Sequence, residues 1–180
     1  MQSVEKISEG TKVPSFITPM IPESKIKELV EAKIEGTKLF VVDISVSSAN
    51  KINVLIDGYD GVSINDCIGV SRGVEHNLNR EEQDFELEVS SAGLDVPFLV
   101  PEQYKKNLGR AVKVYTYDGR KHEGQLHYFD NEKIEITYEE KVRVQGRKKK
   151  ELITKVEEYF FESAQEEKKI RHTKVIISFK

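Results

Sequence analysis

Glu86-Leu-Glu-Val-Ser-Ser-Ala-Gly-Leu-Asp-Val-Pro-Phe98 is the stretch that decides how this chain is organised. It continues Phe85 as a strand of period two, with Leu87 and Val89 on the same face as Phe85 and acidic residues on the other. The strand then runs into Ser-Ser-x-Gly-Leu-Asp-x-Pro, which neither continues a strand nor begins an ordinary helix. So many specialised turn residues in one run indicate a defined joint between two domains.

The joint, residues Ser90–Pro97, combines three kinds of turn residue. Gly93 permits a positive φ angle, serine and aspartate side chains can bond to the local backbone, and a proline fixes its own φ. Such a joint either only holds the domains at one angle or also presents both to one partner, with Leu94 and Phe98 available for burial. The candidate joint and partner-binding residues are Ser90, Ser91, Gly93, Leu94, Asp95 and Pro97.

The composition is that of an ordinary folded protein. The chain has 180 residues, of which 33% are charged and none is Trp, and it is long enough for two small domains with separate cores. No apolar run approaches the length that crosses a bilayer, and the N-terminal segment lacks the apolar region of a secretory signal. A single cysteine, Cys67, excludes an internal disulfide. We therefore expect a cytoplasmic protein with no membrane partner.

The net charge of −3 conceals an uneven distribution. Residues 1–108 contain 11 Lys and Arg against 18 Asp and Glu, a balance of −7, whereas residues 109–180 contain 17 against 13, a balance of +4. Two surfaces of opposite sign favour a partner with patches of both signs, such as a ribonucleoprotein. The alternative is that two solvated surfaces differ in charge by chance.

Residues 1–20 show no periodicity and are predicted to be a flexible tail, and Met20 is an alternative start of the chain. Residues 21–97 are predicted to form a two-layer α/β domain. Their pattern is a helix, two alternating strands around residues 40–46 and 52–56, a second helix and the strand that leads to the joint. In this order, α-β-β-α-β, two helices can cover one face of a three-stranded sheet.

The second helix carries the clearest local signals. Ser63 is predicted to cap it, with Asp66 three residues later in the capping-box position. Gly69 and Gly73 present a small-residue face suited to close helix packing. The predicted apolar stripe contains Ile64, Cys67, Ile68, Val74 and Leu78.

Residues 98–180 are predicted to form a small SH3-like or Sm-like β-barrel after a short helix that ends at Gly109. Asp118-Gly119 is a two-residue hairpin turn, and Gly124 lies where a bent strand could turn a barrel corner. The whole chain is therefore predicted to be an α+β protein. The five strands of the barrel are expected near residues 112–116, 122–129, 134–138, 159–162 and 173–179.

A basic hairpin insertion near residues 139–158 is the strongest candidate for RNA binding by charge. The run Arg147–Lys150 falls near the predicted hairpin tip, and a basic tip can enter an RNA groove and neutralise phosphates. The alternative is a solvated loop. Arg120 and Lys121 follow a hairpin turn and either add to this surface or guard an edge strand against aggregation. The RNA-binding candidates are Arg110, Arg120, Lys121, Arg143, Arg147, Lys148, Lys149 and Lys150. Tyr115, Tyr117 and Tyr128 could stack on bases, although Tyr128 could equally belong to the barrel core.

No group of residues has the spacing of a catalytic or metal site. The histidines are scattered, and Cys67 lies on an apolar helical stripe, as a buried small hydrophobe does. His122 and His127 are oddly spaced on one strand and therefore point to opposite faces. The acidic residues that follow Asp57 lack the spacing of a calcium loop, and no Walker-type phosphate loop occurs. We expect no enzymatic activity, no metal, no cofactor and no small-molecule substrate.

Five motifs together carry a resemblance: Ile56-Asp57, Asp60-Gly-Val-Ser-Ile-Asn-Asp-Cys67, Ser71-Arg72, Leu87-Glu-Val-Ser-Ser-Ala-Gly-Leu-Asp-Val-Pro97 and Gly109-Arg110. With these motifs the chain resembles the bacterial RimP family of ribosome maturation factors over about residues 22–140, and its C-terminal end is similar to Bacteroidetes-type members. Two positions depart from the family, which commonly has Pro at Ala92 and Arg at Val96. The first change loosens the joint, and the second leaves the role of position 96 open. The segment 139–158 is longer than in many members.

The resemblance implies a protein that binds the free, immature small ribosomal subunit, near the decoding-centre ribosomal protein and the central pseudoknot of the rRNA. It also implies no catalysis and no cofactor, and we expect a monomer. An alternative is an SH3-like adaptor that binds peptide segments in an aromatic-lined groove that is not basic. A hydrolase is the last alternative, because no nucleophile is matched with a base.

Overall fold

The computed structural model describes residues 21–143 and 149–177, and within them the chain has an α+β fold. The flexible tail predicted for residues 1–20 lies outside the described residues. None of the helices within the described ranges is long and apolar enough to cross a membrane. In chain order the elements are α1 (Glu23–Ile34), β1 (Leu39–Val46), β2 (Lys51–Gly58), α2 (Ile64–Glu75), β3 (Glu86–Ser91), α3 (Pro101–Lys106), β4 (Ala111–Thr116), β5 (Lys121–Phe129), β6 (Lys133–Val142), β7 (Glu151–Phe160) and β8 (Ile170–Val175).

The N-terminal part is a three-stranded sheet in the order β1-β2-β3. β1 and β2 form an antiparallel hairpin, whereas β3 is parallel to β2, so that α2 is the crossover between them. The central strand supplies Ile52, Val54 and Ile56 to a core that also contains Ile26 and Val30 of α1. The order α-β-β-α-β predicted from periodicity is therefore confirmed.

α2 begins with the predicted capping box. The Ser63 hydroxyl accepts from the backbone N–H of Asp66, and the Asp66 carboxylate accepts from the Ser63 backbone N–H at 2.8 Å. The bond from the Ser63 hydroxyl to the carboxylate holds the pKa of Asp66 below its ordinary value. Gly73 packs on α1, because a Cβ at this position would lie 3.0 Å from Cγ of Lys33. The predicted small-residue contact between the helices is therefore present at Gly73.

The apolar stripe predicted for α2 was wrong at two positions. Ile64 is 80% exposed and Ile68 is 42% exposed, whereas Val70 and Val74 are buried against the sheet. A single stripe of a helix can face a sheet, and in α2 that stripe passes through Val70, Val74 and the half-buried Cys67. Ile64 is the first residue of the helix and Ile68 lies one turn beyond it, on the side that the sheet does not cover.

The C-terminal part is a five-stranded antiparallel sheet in the order β7-β6-β5-β4-β8. Its core contains Val112, Val114, Leu126, Ile134, Ile136 and Tyr159. An isolated bridge joins Phe160 to Lys169, and closure into an SH3-like or Sm-like barrel remains a prediction. Five strands were predicted for this part of the chain, and its described residues form a sheet of five.

Two of those strands differ in extent from the prediction. β7 begins at Glu151 and not near Tyr159, and β8 spans Ile170–Val175, so that it starts before the predicted Thr173. β7 is an edge strand in which most side chains are exposed, and it is held by its ladder with β6, from Val142 opposite Glu151 to Lys133 opposite Phe160. A strand that is held by backbone pairing while most of its side chains are exposed shows no alternation of apolar and polar residues in the sequence. The end predicted for β8 falls on residues 178–180, outside the described residues.

Candidate functional site

The joint begins as strand and becomes a turn only after Ala92. Ser90 and Ser91 lie opposite Leu55 and Ile56 in the parallel ladder, and the Ala92 N–H donates to the Ile56 carbonyl at 2.8 Å. Within the described residues, the side chains of Ser90, Ser91 and Asp95 make no hydrogen bond to the local backbone, contrary to the prediction. The serines are strand residues whose backbone is already paired, so their hydroxyls are not needed to shape the turn.

The turn itself spans Gly93–Val96, and the Val96 N–H donates to the Gly93 carbonyl at 3.4 Å. Gly93 does not have the positive φ angle predicted for it, because it is the first residue of the turn, a position that needs no left-handed conformation. Leu94 is 50% exposed at the crest of the turn. This side chain is therefore available to a partner.

The C-terminal sheet holds the joint through β8. Nζ of Lys174 donates to the Asp95 carbonyl at 3.0 Å, and the Phe98 N–H, just past Pro97, donates to the Thr173 carbonyl at 2.8 Å. Both bonds involve neighbouring residues of one strand. The turn is therefore attached to the edge of the second sheet as well as to the end of the first.

An ion pair between the two parts of the chain was not predicted from the sequence. Nζ of Lys106, the last residue of α3, lies 2.6 Å from Oδ1 of Asp57 in β2. The two side chains are only 13% and 11% exposed, and the same Asp57 oxygen accepts the Gly58 N–H at 2.8 Å. In the sequence, Asp57 was placed in a family-like motif and in a rejected calcium loop, and no local pattern indicates that a residue 49 positions later is its partner.

The candidate cations fall into three separate places. Arg110 lies at the start of β4, where its Nη1 donates to the side-chain carbonyl of Asn107 at 3.0 Å. Arg120 lies in the turn at the other end of β4, and Lys121 is the first residue of β5; both are about 20 Å away from Arg110 given the usual rise per strand residue. Arg143, Lys149 and Lys150 are exposed at the end of the β6–β7 hairpin, and Arg147 and Lys148 lie outside the described residues.

The turn around Arg120 adjoins a surface of aromatic and basic side chains, which we call the aromatic–basic surface: Tyr115, Tyr117, Arg120, Lys121, Lys169, Arg171 and His172. One row of it crosses the sheet, because Tyr115 in β4 lies opposite Lys121 in β5 and His172 in β8. The Tyr115 and His172 rings are stacked, with centroids 4.2 Å apart and planes 21° apart, and Nζ of Lys121 lies 5.6 Å from the Tyr115 centroid.

A second aromatic group extends this surface. Tyr117 is 53% exposed, and Nζ of Lys169 lies 5.2 Å from its ring centroid. Sequence reasoning found Tyr115, Tyr117, Arg120 and Lys121 but missed the residues that β8 and its preceding loop contribute. The run Lys-Lys-Ile-Arg-His at 168–172 was the available signal.

The pKa of His172 should be measurably lower than that of an ordinary histidine. Partial burial and the positive charges of Arg171 and Lys174 all favour the neutral imidazole. Because the folded state then binds fewer protons, the stability contributed by this group is present above its ordinary pKa of 6.5 and is lost as the pH falls through the lowered value. An NMR titration of the imidazole protons should show the lowered pKa, and Arg171→Gln should raise it. A remote charge change, Lys25→Gln, should leave it unchanged, and a wild-type value at or above 6.5 would contradict the described surroundings.

No cluster of three or more His, Cys, Asp or Glu residues within 21–143 and 149–177 could hold a metal ion.

The described chain presents two compact cores, a joint attached to both sheets and a surface of stacked aromatic rings and cations. Together these features define an α+β protein with an N-terminal α/β part and a β-rich C-terminal part.

Comparison with known proteins narrows this class to one family. A profile of the RimP N-terminal domain matches residues 26–95. The chain is 46% identical over 117 residues to the ribosome maturation factor RimP of Christiangramia forsetii, covering 64% of this chain and 76% of the relative. It is 46% identical over 95 residues to RimP of Flavobacterium psychrophilum, covering 52% of this chain and 62% of that protein. It is 30% identical over 131 residues to RimP of Porphyromonas gingivalis, covering 73% and 86%. The chain belongs to the RimP family, as its motifs predicted.

Proposed function

We propose that this chain is a cytoplasmic, non-enzymatic ribosome maturation factor that binds the free, immature small ribosomal subunit. The observation that carries the proposal is the 46% identity to a ribosome maturation factor over 76% of that relative's length. The aromatic–basic surface supports it, because RNA-binding surfaces combine cations for phosphates with rings for unpaired bases.

In this proposal the two parts of the chain bind different components of the small subunit. Residues 21–97 form the acidic domain and face a basic ribosomal protein at the decoding centre, in keeping with the balance of −7 over residues 1–108. Residues 98–180 form the SH3-like barrel and face rRNA, in keeping with the balance of +4 over residues 109–180. The joint holds both at one angle and offers Leu94 to the same partner.

The hairpin between β6 and β7 supplies phosphate contacts. Arg143, Lys149 and Lys150 are exposed at its end, and the sequence adds Arg147 and Lys148 between them. Exposed cations on a projecting hairpin neutralise RNA phosphates and release counterions, so the affinity depends on salt. Arg120 and Lys121 add to this phosphate-binding surface from the β4–β5 turn.

Replacing Arg147, Lys148, Lys149 and Lys150 together with Ala is expected to weaken binding to precursor small subunits. The slope of log affinity against log salt concentration should fall by about 0.7–0.9 for each phosphate that the variant no longer neutralises. Sedimentation of cell extract through a gradient measures the binding: the tagged wild-type chain should comigrate with free small subunits and not with complete ribosomes.

A matched control removes four positive charges from the acidic part, at Lys25, Lys27, Lys38 and Lys51. This variant should keep the wild-type salt slope. An unchanged affinity and slope in the hairpin variant would show that the hairpin does not touch RNA. Absence of the wild-type chain from the small-subunit fractions would contradict the proposed function as a whole.

A second candidate function is an SH3-like adaptor that binds peptide segments. The pocket beside Phe98 has the aromatic wall that peptide grooves of this class have, but Arg171 and His172 also line it, and a basic lining counts against the adaptor. The same gradient experiment separates the two functions, because an adaptor would keep its partner after nuclease treatment of the extract.

A further inference from the structure

A pocket of 320 Å³ lies between the segment after the joint and the beginning of β8. Its wall is aromatic: Tyr104 stacks on Phe129 with centroids 5.0 Å apart and planes 7° apart, and Phe98 meets the Tyr104 ring edge-on at 5.0 Å. Leu99 lines it too and is 59% exposed. The volume is at the lower end of the roughly 300–1,000 Å³ that small-molecule sites occupy, so it suits one planar group and not a long chain.

The polar lining of this pocket has one sign of charge. Asn131, Arg171 and His172 line it, and among the described residues no carboxylate does. Arg171 is exposed and can meet an anion at the rim, and Asn131 offers both a donor and an acceptor. A cationic group finds no counter-charge here, whereas a planar group attached to a phosphate can place the ring on the aromatic wall and the phosphate near Arg171.

His172 connects the pocket to the aromatic–basic surface. The Tyr115 ring covers one face of the imidazole, and His172 is also one of the residues that line the pocket. A planar group in the pocket would extend the row from Lys121 through Tyr115 to His172 by one further layer.

We propose that this pocket holds one unpaired nucleobase of an RNA strand, stacked on His172, with the adjoining phosphate on Arg171. The inference rests on the proposed function for its RNA partner and adds to it the recognition of an unstacked base. Bases that leave a helix are commonly held by stacking on aromatic side chains, including His, and by hydrogen bonds to their edges. Such a site selects single-stranded over double-stranded RNA, which charge alone does not.

The first test measures binding of the full chain to a fluorescent single-stranded ten-nucleotide RNA and to a duplex of the same length. His172→Ala should weaken single-strand binding about tenfold and leave duplex binding within about twofold, given the usual worth of base stacking. His172→Phe keeps a stacking ring and should stay within about twofold of the wild type for both RNAs. His76→Ala, on α2's C-terminal side, is the remote control and should change neither.

A second measurement locates the base directly. Titration with adenosine monophosphate should shift the NMR signals of Leu99, Phe129 and His172, and Arg171→Gln should weaken that binding. Equal single-strand affinity of the wild type and His172→Ala, or nucleotide shifts confined to other residues, would overturn the pocket assignment.

Sedimentation separates the failure of this inference from that of the proposed function. If the wild-type chain comigrates with precursor subunits but His172→Ala does not affect single-strand binding, the pocket assignment is wrong and the proposed function stands. If single-strand binding depends on His172 but the wild-type chain stays away from the subunits, the pocket assignment stands and the proposed function is wrong.

Discussion

Replacing Lys106 with Ala is expected to lower the free energy of unfolding by about 3–5 kcal/mol, the usual cost of removing one partner from a buried ion pair. The reason is that Asp57 remains in a site where its side chain is only 11% exposed, without the ammonium group that partly compensates for its lost hydration. Chemical denaturation monitored by circular dichroism measures the loss.

The chain offers a matched control for this variant. Lys38 and Asp60 also form an ion pair at 2.6 Å, but their side chains are 70% and 71% exposed. Lys38→Ala should therefore cost at most about 1 kcal/mol. The two variants remove the same group from the same distance, so a large difference between them reports mainly the burial of the Lys106–Asp57 pair.

A double variant tests the mechanism of the loss. Lys106→Met with Asp57→Asn removes both charges and keeps an oxygen that can accept the Gly58 N–H, so it should recover most of the stability that Lys106→Ala removes. If Lys106→Ala costs no more than Lys38→Ala, then the ion pair does not hold the two parts of the chain together in solution.

Replacing Gly124 with Ala is expected to cost about 1–3 kcal/mol, as overpacking usually does. A Cβ at this position would lie 2.7 Å from the Thr137 carbonyl oxygen and 3.1 Å from Cβ of Ile136. The Thr137 oxygen belongs to the backbone of β6 and cannot move without disturbing its ladder. The shift in the denaturation midpoint measures the cost.

Gly93→Ala is the matched control, and the sequence and the structure make opposite predictions for it. A Cβ at Gly93 would meet nothing within 4 Å among the described residues, and the φ angle lies outside the left-handed region, so the change should be neutral or stabilising by up to about 1 kcal/mol. A loss as large as that of Gly124→Ala would mean that the joint contains the left-handed glycine that its sequence suggests.

Local signals predicted much of the fold correctly. The capping box of Ser63 and Asp66 is present, and a turn lies at Asp118-Gly119, but it is longer than the predicted two-residue turn, because the Gly119 N–H donates to the Thr116 carbonyl and the Thr116 N–H to the Arg120 carbonyl. The capping box and the turn each depend on residues that are only a few positions apart in the sequence. Ile64 and the start of β7 were predicted wrongly because burial and edge pairing depend on neighbours distant in the chain.

The candidate site was predicted in part, for the same reason. Tyr115 and Lys121 face each other across a hairpin whose turn is evident in the sequence. His172 joins them only through the pairing of β4 with β8, which brings together residues 57 positions apart. The count of charges drew attention to the β6–β7 hairpin and not to the run that ends at His172. That run has fewer basic residues, and its last three residues belong to β8.

The order of amino acids alone established the family, the sequence of helices and strands and the contrast in charge between the two parts, because these depend on composition and on neighbours along the chain. The contact of Lys106 with Asp57, the stack of Tyr115 on His172 and the pocket beside it arise only when distant segments pack. Ion pairing and ring stacking act over a few ångströms of space irrespective of separation along the chain, so periodicity and local motifs carry no record of them.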